Sequence, residues 1–175
     1  RVITAVVLLI IIIGALLISP LVFTAVAAIA IGCCFWEWLR ICKWNNGVAM
    51  VCGVVLGASL FFLEYASPAA LQTVQSGNGL MIITATATVL WAVITAVIFT
   101  RRTSGWRVPQ GIGALLGWIF VPAAWFSLMY LFREKGTIYM LSVLAIVWVA
   151  DIMAYFGGRC FGGPKMAQGI SPKKT

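Results

Sequence analysis

The sequence predicts an all-α integral membrane protein of about six transmembrane helices, and three observations carry that prediction. Hydrophobic residues make up 63% of the chain and charged residues only 9%, far outside the usage of soluble domains. The mean hydropathy is +1.08. The apolar residues also gather in long runs broken by short polar clusters. Such runs suit helices that rise about 1.5 Å per residue across a hydrocarbon core of roughly 30 Å. A β-barrel would alternate apolar and polar residues in segments of roughly ten, and no such alternation is visible.

The first span is read at Val2 to Ser19 and the second at Leu21 to Trp38. Only Ser19 and Pro20 separate them, so they form a tight hairpin in which Pro20 starts the second helix at a position that needs no N–H donor. A cleaved signal peptide is the rival reading of the first run. Its length and its immediate turn into another span argue against that. The third span is read at Val48 to Leu63, the fourth at Gly79 to Thr100, the fifth at Ile112 to Leu131 and the sixth at Thr137 to Phe156. Residues 1–156 thus form the membrane region, and residues 157–175 a cytoplasmic, glycine-rich basic loop.

Charge in the connections predicts orientation. With a cytoplasmic N-terminus, the inner segments hold Arg1, Arg40, Lys43, Arg101, Arg102, Arg107, Arg159, Lys165, Lys173 and Lys174, and the outer ones only Arg133 and Lys135. This bias places both chain ends in the cytoplasm. The net charge of +8 is spread over short loops flanking spans rather than gathered on one soluble face, which argues against a nucleic-acid partner. Topology and contact with anionic lipid headgroups account for most of it.

The five cysteines, Cys33, Cys34, Cys42, Cys52 and Cys160, form no CxxC pair and the chain has no histidine, so a zinc site or a Cys-His nucleophile pair is not expected. All five read as reduced and structural. The rare acids are more informative, because a charged side chain at mid-bilayer costs about 2.5 to 3.5 kcal/mol. Glu37, in Phe35-Trp36-Glu37-Trp38, reads either as an interfacial acid pairing with Arg40 or as a functional group. Asp151 shares a helical face with Val147, Tyr155 and Gly158, a strip that leads into the basic ribbon. A helix-to-helix hydrogen bond is the alternative use of that carboxylate.

The ribbon Gly157-Gly158-Arg159-Cys160-Phe161-Gly162-Gly163-Pro164-Lys165, continued to Thr175, combines backbone freedom with positive charge. Arg159, Lys165, Lys173 and Lys174 supply the charge, Ser171 and Thr175 supply hydroxyls, and no acid competes. That set favours a polyanion such as a nucleoside triphosphate or a lipid phosphate, although it is not a Walker A loop; a tether to the lipid surface is the plainer reading.

Trp148-Val149-Ala150-Asp151, Ala154-Tyr155, the glycines through Gly163 and above all Ile170-Ser171-Pro172-Lys173-Lys174-Thr175 resemble the middle of the phosphatidate cytidylyltransferases, the CDP-diacylglycerol synthases. Arg1-Val2-Ile3-Thr4-Ala5 and Trp36-Glu37-Trp38 resemble that family's opening and second span more loosely. The resemblance implies transfer of CMP from CTP to phosphatidate in phospholipid biosynthesis, giving CDP-diacylglycerol and pyrophosphate with the help of Mg²⁺. It implies the bacterial inner membrane, with the active site facing the cytoplasm and CTP, phosphatidate and membrane lipids as partners; a homodimer is compatible with it. Ser171, Lys173, Lys174 and Thr175 match the family's SPKKT positions, expected to hold phosphate, and Asp151 matches an intramembrane aspartate expected to order the pocket or meet metal; Lys165, by its charge in the ribbon, is a further phosphate-binding candidate. Ile152 and Met153 after that aspartate, and Gln168 and Gly169 before the SPKKT run, depart from the family's pattern.

The family's long C-terminal signature would follow Thr175, so the chain is read as the amino-terminal part of a longer protein and as inactive alone, with the main Mg²⁺ ligands beyond Thr175 and no metal site assigned within it. A transporter or channel using Asp151 and Glu37 as relays is the rival, and a non-catalytic lipid-binding module a second. No inverted repeat supports the former.

Overall fold

The computed structural model describes residues 2–66, 78–101 and 109–160, and every regular element in them is helical. In chain order these are α1 (Val2–Ile18), α2 (Pro20–Ile41), α3 (Asn46–Ala66), α4 (Asn78–Arg101), α5 (Gln110–Tyr130), a π-helical turn at Leu131–Lys135, and α6 (Thr137–Cys160). Stretches of α2 to α6 are long and apolar enough to cross a membrane. α1, with 17 residues, spans about 26 Å and lies at the short end of that range. Among the described residues there are thus five helices long and apolar enough to span a membrane and a shorter sixth, the build of a multi-span membrane protein.

The chain divides into two compact units. One holds residues 1–87 and 108–130, the other 88–107 and 131–175.

In the first unit the hairpin between α1 and α2 turns at Ser19, whose backbone is extended (φ −171°, ψ 158°). Its hydroxyl accepts a hydrogen bond from the Val22 N–H at 3.2 Å, capping one orphan donor of a helix that begins on Pro20. Buried Thr24 returns its hydroxyl to the Pro20 carbonyl at 2.9 Å, so its polarity is satisfied within the helix.

α2 ends in a Schellman turn: the Trp44 N–H donates to the Leu39 carbonyl (3.0 Å) and the Lys43 N–H to that of Arg40 (2.9 Å). Lys43 takes the left-handed position at φ 64°, where glycine is usual. Asn45 then caps α3, its side-chain oxygen accepting from the Gly47 N–H at 2.9 Å.

The α2–α3 hairpin packs backbone to backbone. A Cβ on Gly53 would lie 2.6 Å from the Gly32 carbonyl oxygen, and one on Gly57 2.8 Å from that of Ala28. Small residues at these crossings allow the dispersion contacts that hold helices together where no hydrophobic effect operates. α5 also packs on α2, where Phe35 meets Trp118 edge to face with ring centroids 5.0 Å apart. Phe35, Leu39, Trp125 and Met129 are all but fully buried.

In the second unit, the π-helical turn carries Arg133 and Lys135 and closes on Gly136 at φ 84°, a left-handed conformation that releases the chain into α6. α6 runs to Cys160, so Gly157 to Cys160 are helical where the sequence suggested the loop had begun. Helix hydrogen bonding carries through the glycine pair at a cost of about 1 kcal/mol each relative to alanine.

Candidate functional site

Asp151 lies on α6 about 14 Å, nine residues, from its end at Cys160. The carboxylate is exposed and makes no hydrogen bond or ion pair among the described residues. Val147 and Tyr155, one turn to either side, are exposed too, so the strip read from helical spacing is an open face of α6. Tyr155 packs its ring edge to face with Phe156 at 5.5 Å. An ionisable group left open on an apolar helix marks a place for a polar ligand or a partner segment. Lys165, Ser171, Lys173, Lys174 and Thr175 lie outside the described residues.

Glu37 has the simpler of its two expected uses. Its carboxylate accepts from the Arg40 guanidinium at 2.7 Å, one turn along α2, with both side chains about half exposed. Arg40 also lies 5.6 Å from the centre of the Trp36 ring. The two tryptophans beside Glu37 are more than interfacial anchors. The Trp36 indole N–H donates to the Asn46 side-chain oxygen (3.1 Å), tying α2 to the start of α3. The Trp38 indole N–H donates to the Gly113 carbonyl (2.8 Å), and its ring fills the space over Gly117, where a Cβ would come within 2.5 Å. Gln110 adds a bond from its amide to the Lys43 carbonyl at 3.3 Å. Within the first unit these contacts knit the α2–α3 turn and the start of α5 into one polar cap.

All five cysteines are free thiols. At the edge of the cap, burial pushes the Cys42 thiol above its ordinary range.

Glu64 on α3 escaped the reading of the sequence. It is 2% exposed, the deepest charged residue among those described. In Phe61-Phe62-Leu63-Glu64, at the end of a span, the sequence does not distinguish an inward carboxylate from an outward one; packing shows that it is buried. Among the described residues no three side chains of the metal-binding types gather, so they offer no set that would hold Mg²⁺.

A model of the cytidylyltransferase family matches residues 1–175. A phosphatidate cytidylyltransferase of Pseudomonas aeruginosa is 32% identical over an alignment that takes in 100% of this chain and 62% of that protein. One from Brucella abortus is 58% identical over 33 residues, 19% of this chain and 12% of that protein. One from Rickettsia typhi is 37% identical over 62 residues, 35% of this chain and 27% of that protein. The chain thus spans about three fifths of the length of its full-length match. No solved structure matches it.

Proposed function

The chain belongs to the cytidylyltransferase family, and from that membership we propose that it serves the transfer of CMP from CTP to phosphatidate, giving CDP-diacylglycerol and pyrophosphate at the cytoplasmic face of a bacterial inner membrane. The observation that carries this reading is the family match over all 175 residues. In the reaction a phosphate oxygen of phosphatidate forms a bond to the α-phosphorus of CTP, the bond from that phosphorus to the oxygen bridging to the β-phosphate breaks, and pyrophosphate leaves with the electron pair. Such transfers ask a protein chiefly for positioning and neutralisation of charge.

We assign the phosphates to Lys173 and Lys174, with Lys165 adding charge and Ser171 and Thr175 donating hydroxyl hydrogens. Asp151 is assigned a positioning role for the ligand, supported by its open carboxylate on α6. Mg²⁺ belongs to the proposal as the ion that would neutralise phosphate charge; its ligands are sought outside the described residues, and no step is derived through it.

The test is product formation from CTP, phosphatidate and Mg²⁺ in mixed micelles by the protein at its full native length, with each component omitted in turn. CDP-diacylglycerol that appears only when all are present supports the reading. Silence in a folded, membrane-extracted preparation contradicts it.

A further inference from the structure

Where α2 and α3 cross at their small residues lies an apolar groove of about 360 Å³, floored by Ala28, Gly32, Gly53 and Gly57. Ala25, Ile29, Cys33 and Trp36 form one wall, and Val54 and Phe61 belong to the other. From Ala25 to Trp36 it runs about 16 Å along the helix, close to one leaflet of a hydrocarbon core of roughly 30 Å. The lining is almost wholly hydrocarbon. The indole N–H of Trp36 is already donated to Asn46, so that wall has no strong donor left for a polar ligand.

One end of the groove differs from the other. Beyond Trp36 come Arg40 and Lys43, with Glu37 as the carboxylate among them. Glu37 offsets Arg40 at 2.7 Å, which leaves the exposed Lys43 ammonium as the net charge. Lys43 occupies a left-handed position that glycine would fill without strain, so its side chain is kept there at a conformational cost. A slot one leaflet long, dry along its length and cationic at its mouth, matches one acyl chain beneath one anionic headgroup.

We propose that this groove holds a resident anionic diacyl phospholipid of the bilayer, one acyl chain along α2 and α3 and its headgroup phosphate at Lys43, separate from any lipid that reacts. The proposal does not depend on the reaction assigned above.

The test is native mass spectrometry of the full-length protein released from nanodiscs of phosphatidylglycerol and phosphatidylcholine in equal amounts. The wild type is expected to retain a bound phospholipid, with phosphatidylglycerol preferred about fivefold, the effect of one lysine near an anionic surface. Ala58→Phe and Cys33→Phe, each filling the groove from an exposed position, are expected to lose it. Lys43→Gly, which relieves the left-handed strain, is expected to keep a lipid and lose the preference. Retention of the lipid by both filling variants overturns the proposal, as does a wild type that carries none or prefers neither headgroup. Displacement of the lipid by phosphatidate, or a dimer that cross-links through Cys33, overturns the assigned occupant in favour of the substrate or of a second copy.

Discussion

At the scale of single residues, a few charged groups carry the proposed chemistry in a chain that is 9% charged. Lys173 and Lys174 are the residues proposed to hold phosphate. Replacing either with alanine is expected to cut CDP-diacylglycerol formation by about a hundredfold, the usual cost of losing one charge-stabilising donor, with membrane insertion unchanged. Full activity in both single variants and in the double variant would remove the assignment. Cys42 gives a prediction in pH. Because burial raises its pKa, less thiolate exists at any given pH than in an unfolded chain, and maleimide labelling should rise with pH to a plateau above the usual thiol range. A variant retaining only Cys42, labelled folded and then in denaturant, tests this; coincident pH curves would contradict it. The ion pair of Glu37 with Arg40 was legible from spacing alone, since residues three apart on a helix are neighbours. The burial of Glu64 was not, because an acid at the end of a span reads the same whether it faces water or the bundle.

At the scale of elements, the spans were legible because a membrane helix must be a long apolar run, and Ser19-Pro20 announced the first hairpin through its capping chemistry. The helix ends were less legible. α2 and α3 each extend past their apolar runs, because α2 closes through the backbone bonds of Lys43 and Trp44 and α3 opens under the Asn45 side chain, in a polar stretch that lowers the mean hydropathy. Packing between helices was hidden for a different reason: a glycine in an apolar run looks alike whether it touches another helix or lipid. The structure separates the two cases. Gly117 lies under the Trp38 ring, whereas a Cβ at Gly14 would meet nothing within 4 Å. Gly117→Ala is therefore expected to destabilise the fold by about 1 to 3 kcal/mol, and Gly14→Ala to be neutral or to stabilise by up to about 1 kcal/mol through helix propensity. Unfolding in mixed detergent micelles measures both, and equal effects would contradict the packing described for α2 and α5.

At the scale of the whole molecule, charge bias and span count together predict that the turn after α2 and the end of α6 lie on one side of the membrane. Single-cysteine variants retaining Cys42 or Cys160 should both resist an impermeant thiol reagent in intact cells and both react, Cys42 at raised pH, once the membrane is opened; protection of only one would overturn the topology. The family match supports the proposed chemistry, which topology alone does not address, and the open Asp151 strip is where that proposal looks for the ligand on α6. The most direct test of that chemistry follows the phosphorus. The full-length protein is given CTP labelled at the α-phosphate in one reaction and at the γ-phosphate in another, each with phosphatidate and Mg²⁺. The account predicts lipid-extractable label from the α-position alone, with the γ-label recovered as pyrophosphate. Label in lipid from the γ-position, or from neither, would contradict CMP transfer.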